Sequence, residues 1–175
     1  MAQLVTGPYS IDTDSDSDSY SDGDVNWTVD NGSDAFPTEP SQWSDRDYDG
    51  WGDNQTFGAL FIDDFPDNPT QWRDTDDDGW GDNQTYGASQ IDDFPFVESQ
   101  YRDTDGDGYA DSIDTFPSQS SQWSDTDEDG YGDSPTGLNG DQCPGVYGTS
   151  TEDRLGCLDS DGDGWSNPSG SWDAD

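Results

Sequence analysis

Residues 103–114 read DTDGDGYADSID, and this stretch decides how the chain can fold. Carboxylates stand at its first, third and fifth positions, and a glycine follows at the sixth. The spacing is that of the calcium-binding loop of an EF-hand, in which alternate side chains point inward and the carbonyl of position seven adds an oxygen. The predicted ligands at positions one, three, five, seven, nine and twelve are Asp103, Asp105, Asp107, Tyr109, Asp111 and Asp114.

The same register recurs along the chain, and the stretch above is called loop 3. Loops 1, 2 and 4 carry aspartate at position nine, and loop 5 carries asparagine there. Their predicted ligands at positions one, three, five, seven and nine are Asp45, Asp47, Asp49, Trp51 and Asp53 in loop 1; Asp74, Asp76, Asp78, Trp80 and Asp82 in loop 2; Asp125, Asp127, Asp129, Tyr131 and Asp133 in loop 4; Asp159, Asp161, Asp163, Trp165 and Asn167 in loop 5.

A weaker copy, the N-terminal loop, precedes these and has serine where glycine belongs. Its candidate ligands are Asp14, Asp16, Asp18, Tyr20 and Asp22. The alternation of serine and aspartate here is equally typical of a flexible linker. The sequence leaves both interpretations open.

Only loop 3 reaches its position-twelve carboxylate without interruption. In loops 1 and 2 an insert, around NQTFGAL and NQTYGAS, follows position nine. We interpret Asp63 and Asp92 as the displaced position-twelve ligands, and Asp141 as the corresponding ligand of loop 4. The alternative is that water fills this coordination position.

The composition does not allow an ordinary apolar core. Of 175 residues, 26% are hydrophobic, and the net charge is −38 with no histidine. Such a chain stays disordered unless something besides apolar burial supplies folding free energy. Metal binding can supply it, because ligation of a charged loop is coupled to folding. We therefore expect about five or six calcium ions, or more, as cofactors of the folded chain.

Loops 1 to 4 are each preceded by an Asp-x-Phe-Pro sequence and then by an aromatic residue two positions before the loop. This period predicts a linear array of repeats. The predicted fold is irregular, an array of helix-less EF-hand-like loops with short strands only at 56–62 and 85–91. The predicted segments are 1–33 (N-terminal extended and acidic), 34–63, 64–92, 93–114, 115–141 and 142–175, the last closed by a disulfide.

Two cysteines stand where other repeats have an aromatic residue. Cys143 takes the place of the phenylalanine of Asp-x-Phe-Pro, and Cys157 takes the place of the aromatic residue before the loop. We infer that the phenylalanine and tryptophan of one repeat touch, and that a Cys143–Cys157 disulfide makes the same closure. That bond implies an oxidising, extracellular setting; two buried free thiols are the alternative.

At these residues the chain resembles the thrombospondin type 3 repeat, and its Asp-x-Phe-Pro units look like aromatic variants of such repeats in microbial surface proteins. The match is closest in DTDEDGYGD, DQCP and GCLDSDGDGW, and it covers roughly residues 45–167. The resemblance implies an irregular, calcium-packed rod with a spacer or adhesive role outside the cell. The inserts and the scarcity of cysteines depart from that pattern.

Four N-glycosylation sequons begin at Asn26, Asn31, Asn54 and Asn83. They predict sugar attachment if the host glycosylates exposed sequons.

These features predict a non-enzymatic, extracellular or cell-surface structural protein, a calcium-rigidified stalk or filament subunit. A calcium-dependent adhesin that binds glycans or cell-surface proteins and a polyanionic cation reservoir are the alternatives. Self-association, head to tail or by strand addition, is the favoured interaction.

The negative net charge argues against nucleic acid as a partner, and no apolar run reaches the length of a membrane span. Both ends suggest a piece of a longer repeat protein. A glycosidase dyad at Asp63 and Asp64 is disfavoured, since the pair belongs to the periodic pattern.

Overall fold

The computed structural model describes residues 13–23, 28, 30 and 32–168. Within these residues the chain is irregular, as predicted, and it has neither an α-helix nor a β-strand longer than a single bridge. The pairs that do form are isolated parallel bridges, Gly52 with Ile62, Gly81 with Ile91 and Gly132 with Gly140. No helix of the described part is long and apolar enough to cross a membrane.

The prediction of short strands at 56–62 and 85–91 is wrong. Only Ile62 and Ile91 pair with another segment, and each does so through one bridge. The preceding residues instead turn tightly. The Ala59 N–H donates to the Thr56 carbonyl, and the Ala88 N–H donates to the Thr85 carbonyl, each at a distance of 3.0 Å. Each insert closes on itself because it wraps around a buried side chain.

That side chain is a glutamine. Gln42, Gln71 and Gln122 are completely buried. The Gln71 amide accepts a hydrogen bond from the Asn83 N–H (2.9 Å) and donates to the carbonyls of Asn83 (3.1 Å) and Ser89 (2.8 Å). Gln42 makes the same three kinds of bond in the repeat before it. A polar brace with all of its hydrogen bonds made therefore replaces an apolar core in these inserts.

Glycine at position eight makes room for the glutamine. A Cβ on Gly52, Gly81 or Gly132 would lie 2.0–2.1 Å from the nearest atom of Gln42, Gln71 or Gln122. Loop 3 has no insert, and there a buried alanine, Ala110, stands at position eight.

Apolar burial is scarce elsewhere too. The buried hydrophobic residues of the described part are Ala59, Ala110 and Cys157, whereas its fully buried large side chains are mostly glutamines and aspartates. The interior is thus built from polar and acidic groups, and hydrophobic burial cannot be the main source of its stability.

The chain forms two compact units, Met1–Glu98 and Ser99–Asp175. The boundary between the units falls within residues 93–114, and the predicted repeat segments stay a prediction. In the first unit Tyr20 stacks on Trp43 (ring centroids 5.0 Å apart) and Trp51 stacks on Trp72 (6.0 Å). In the second, Tyr109 stacks on Trp123 (5.1 Å). Each of these stacks joins position seven of one loop to the aromatic residue that introduces the next loop.

In the second unit Cys143 and Cys157 form a disulfide, with Cα atoms 5.1 Å apart. The turn that it closes is held by Ser150, whose hydroxyl donates to the Cys157 carbonyl and accepts from the Cys157 N–H, both over 2.9 Å. The stacks above join Trp43, Trp72 and Trp123 to the loop that precedes each of them. The predicted contact between the phenylalanine and the tryptophan of one repeat stays a prediction.

Candidate metal centres

The first aspartate of each loop organises the backbone around it. In loop 1 the Tyr48 N–H donates to Asp45 Oδ1 (2.7 Å), and the Gly50 N–H donates to Asp45 Oδ2 (3.0 Å). The bond from position six is repeated in every loop, to Asp74, Asp103, Asp125 and Asp159. Glycine is favoured at this position because the φ angle there is strongly positive, for example 92° at Gly50.

The fifth position is fixed in the same way. The Trp51 N–H donates to Asp49 Oδ1 over 2.8 Å, and equivalent bonds reach Asp78, Asp107, Asp129 and Asp163. These bonds leave one oxygen of each carboxylate for another partner. These bonds involve the N–H of position seven and not its carbonyl. Ligation by the carbonyl of position seven therefore stays a prediction for Trp51, Trp80, Tyr109, Tyr131 and Trp165.

Positions one, three and five converge. In each of loops 1 to 4, one carboxylate oxygen from each of the three aspartates lies within 4.8 Å of the other two. The same holds for the N-terminal cluster of Asp14, Asp16 and Asp18. These triplets can hold metal ions, because three carboxylates this close repel one another unless a cation lies between them.

A fourth carboxylate lies beside the triplet in loops 1, 2 and 4. Asp63, Asp92 and Asp141 are completely buried. Each N–H donates to the carbonyl of position eight over 2.8–2.9 Å, which places the side chain beside its own loop despite the insert. Oδ1 of each accepts a backbone N–H two residues on, from Phe65, Phe94 or Cys143, over 2.7 Å. Only Oδ2 is left to bind a metal ion, whereas the closing glutamate of an EF-hand binds its ion through both oxygens.

Oδ2 of these closing aspartates accepts no hydrogen bond, and the same is true of other carboxylate oxygens in the loops. Every buried side-chain oxygen without a hydrogen bond in the described part of the chain belongs to a loop aspartate at position three or five, to a closing aspartate, or to Asp34. They are on Asp16, Asp18, Asp34, Asp47, Asp49, Asp63, Asp76, Asp78, Asp92, Asp105, Asp107, Asp127 and Asp141. A buried carboxylate oxygen without a partner is costly, so a cluster of them favours either protonation of the carboxylates or the binding of a cation.

The pKa values report the same crowding. Burial raises the pKa of Asp63 to about 7, and the charges of Asp49, Asp47 and Asp53 add to the rise. Burial and neighbouring loop carboxylates likewise raise the pKa of Asp92 and of Asp141 to about 6. The pKa of Asp114 in loop 3 is also raised, by burial and then by Asp107 and Asp105. A divalent cation would reverse this effect by favouring the charged form.

The aspartate at position nine, predicted as a ligand, is hydrogen bonded within its own loop. The Thr104 N–H and hydroxyl donate to the two oxygens of Asp111 (2.8 and 2.6 Å), and these bonds lower its pKa. Thr75 and Thr126 bind Asp82 and Asp133 in the same way. In loop 1 the hydroxyl is that of Ser44, which donates to Asp53 over 2.5 Å. Position nine therefore braces the loop, and ligation of an ion by these aspartates stays a prediction.

Loop 5 is built like the others but is more open. The Gly162 N–H donates to Asp159 (2.7 Å), and the Ser160 N–H donates to Asn167 (3.0 Å). Asp161 and Asp163 are exposed, however. The loop is supported from outside by Asp153, which accepts the Ser166 N–H (2.8 Å).

One acidic residue of a site is not found by sequence reasoning. Asp34 is buried beside the N-terminal loop, and its Oδ2 has no hydrogen bond. The signal is present, because Asp34 opens an Asp-x-Phe-Pro sequence just as Asp63, Asp92 and Asp114 do. It is overlooked when that sequence is assigned only to the start of the following repeat.

The sequon asparagines that the structure describes have structural roles. Asn54 Nδ2, the atom that would carry a sugar, donates to the Ser41 carbonyl over 2.7 Å, and Asn83 Nδ2 donates to the Thr70 carbonyl over 2.7 Å. Both side chains are partly buried, so a sugar would have to displace these bonds. Asn26 and Asn31 lie outside the described residues.

No protein-family model matches the chain, and no curated protein matches it with significance.

Proposed function

We propose that the chain is a calcium-binding structural protein in which calcium ions occupy loops 1 to 4, and loop 5 more weakly. The observation that carries this proposal is that the buried carboxylate oxygens without a hydrogen bond, in the described part of the chain, all belong to loop aspartates or to aspartates that lie beside a loop. Each cluster offers more negative charge than a compact fold tolerates alone.

Calcium fits these clusters better than the other common metals. The donors are carboxylates, without histidine or thiolate, and such oxygen sets suit hard cations. Calcium accepts six to eight oxygens in irregular geometry, whereas magnesium demands a near-octahedral shell and gives up its water reluctantly. Four converging carboxylates, as in loop 1 with Asp63, therefore favour calcium.

Calcium binding would stiffen the chain and order it at the same time. The closing aspartate of loop 1 lies beyond an insert, so an ion bound by both fixes the insert as well. The Trp51–Trp72 stack then carries that order to loop 2. A repeat array ordered in this way is suited to a stalk or to a filament subunit.

The disulfide is compatible with a protein that works outside the cell, where thiols oxidise and calcium is millimolar. We propose an extracellular or cell-surface location, with self-association as the main partnership. The resemblance to thrombospondin type 3 repeats supports the same role.

Small-angle X-ray scattering and light scattering test this function. In millimolar calcium we expect a rigid particle, and in EDTA an expanded chain. Assembly beyond the monomer in calcium supports the filament form. A rigid particle that stays monomeric supports the stalk form. Identical scattering profiles in calcium and EDTA would refute the structural role.

A second candidate, a calcium-dependent adhesin, is favoured by two aromatic side chains. Phe57 and Tyr86 occupy the same place in successive inserts, and both are fully exposed. Exposed aromatic rings are common in binding surfaces for sugars and proteins. A glycan array probed in calcium, with Phe57→Ala and Tyr86→Ala as controls, separates this role from a purely structural one.

A further inference from the structure

The N-terminal loop has the internal hydrogen bonds of the other loops, although glycine is missing. The Ser17 N–H donates to Asp14 Oδ1 (2.7 Å), and the Tyr20 N–H donates to Asp18 Oδ1 (2.8 Å). Ser19 stands where the others have glycine, and it adopts the required positive φ of 84°. This conformation is costly for serine, so surrounding interactions must hold it.

The brace at position nine is present as well. The Ser15 N–H and hydroxyl donate to the two oxygens of Asp22 over 2.9 and 2.6 Å, and they lower its pKa. In addition, Tyr20 stacks on Trp43 with ring planes 3° apart, as Trp51 does on Trp72 with planes 5° apart. A flexible linker would share none of these features.

Asp34 completes the comparison. Its N–H donates to the carbonyl of Ser21, at position eight, over 2.7 Å, and the corresponding bond from Asp63 to Gly52 is 2.9 Å. Oδ1 accepts the Phe36 N–H over 2.7 Å. Asp34 is only 2% exposed, and its Oδ2 accepts no hydrogen bond. Its pKa is raised by burial and by the charges of Asp18, Asp16 and Asp22.

We propose that Asp14, Asp16, Asp18 and Asp34 form a further divalent-cation site, in which Asp34 is the closing ligand. The buried Oδ2 atoms of Asp16, Asp18 and Asp34, which accept no hydrogen bond, are the oxygens that the cation would satisfy. The inference rests on the proposed function, because it assigns the same kind of ion. It goes further by giving the N-terminal loop a cation site of its own and by assigning Asp34 to that site.

The site is tested in the whole chain by calcium titration, followed by backbone amide NMR and calorimetry. We expect the Ser19 and Tyr20 amides to shift and saturate, and we expect Asp34→Asn to abolish their saturation and remove one bound ion. The asparagine can still accept the Phe36 N–H, so the turn should survive. Asp16→Asn is a second variant on the loop side, and the exposed Asp67→Asn is the charge-matched control.

The outcomes separate this inference from the proposed function. If the Gly50 and Trp51 amides of loop 1 respond to calcium while Ser19 and Tyr20 do not, the N-terminal site is refuted and the function stands. The N-terminal site is likewise refuted, with the function intact, if Asp34→Asn binds as many ions as Asp67→Asn with unchanged affinity. If neither pair of amides responds, both proposals fail.

Discussion

Gln71 and Gly81 occupy one shared space: a Cβ on Gly81 would lie 2.0 Å from Gln71 Oε1. The glutamine is completely buried and is hydrogen bonded to the insert, which carries Asp92 back to loop 2. A residue with no side chain thus makes room for the brace that delivers the closing carboxylate.

Gly81→Ala should therefore destabilise the calcium-loaded chain, by about 1–3 kcal/mol for a residue forced into a filled space. The measurement is urea unfolding in calcium, followed by near-UV circular dichroism. Gly145→Ala is the matched control, because a Cβ there meets nothing within 4 Å and should change the free energy of unfolding little. Equal effects of the two substitutions would contradict the brace.

Asp63→Asn and Asp53→Asn should differ sharply. Asp63 offers a buried oxygen without a hydrogen bond, so neutralising it should weaken calcium binding at loop 1 by about tenfold or more, since even residues that only orient metal ligands contribute about 10–100-fold. Both oxygens of Asp53 accept hydrogen bonds within the loop, and Asn167 fills the equivalent place in loop 5. Calorimetric titration of the two variants decides the point. A larger loss in Asp53→Asn would reverse the assigned roles.

Metal-free and calcium-loaded chains should respond to pH in opposite ways. The folded-state pKa of Asp63 is raised to about 7 by burial, so its contribution to metal-free stability is full below its ordinary pKa of 3.8 and is lost as pH rises through about 7. In EDTA, near-UV dichroism should therefore weaken from pH 5 to 8. Calcium affinity should rise over the same range, because protons compete for the ligand oxygens. Asp63→Asn should reduce both trends, and pH-independent binding in the parent chain would contradict the assigned role of this carboxylate.

Reducing the disulfide should weaken calcium binding at loop 4 and spare the first unit. The Cys143 N–H donates to Asp141 (2.7 Å), and the Gly148 N–H donates to Asp129 (3.0 Å), so the disulfide-closed turn touches two loop carboxylates. We expect the affinity of loop 4 to fall by about tenfold or more in a chain with Cys143→Ser and Cys157→Ser, since part of the roughly 3 kcal/mol that such a bond contributes through chain entropy then has to come from calcium binding. Amide shifts of Tyr131, compared with Trp51, measure the difference. Equal affinities in both chains would exclude the coupling.

Much of this arrangement could be predicted from the sequence. The loop aspartates are fixed by spacing, because alternate residues along a tight turn share one side. The return of Asp63 and Asp92 could also be predicted, since their Asp-x-Phe-Pro sequence is independent of the insert length. The pairing of Cys143 with Cys157 followed from their places in the repeat.

Other features could not be predicted. Gln42, Gln71 and Gln122 resemble ordinary surface glutamines in the sequence, and only the path of the insert shows that they are buried. Position nine has the residue type of a calcium ligand, but Thr104 at position two competes for the oxygens of Asp111. Asp34 is hard to assign from the sequence because the segment between it and Asp22 is longer than the other inserts.

Calcium titration of the purified chain, followed by near-UV circular dichroism and hydrodynamic radius, tests the central claim most directly. We predict that millimolar calcium compacts the chain and fixes its stacked aromatic rings, that EDTA reverses both changes, and that the same concentration of magnesium does not replace calcium. If neither the radius nor the aromatic signal changes with calcium, the buried carboxylates are not cation ligands and the proposed function is wrong.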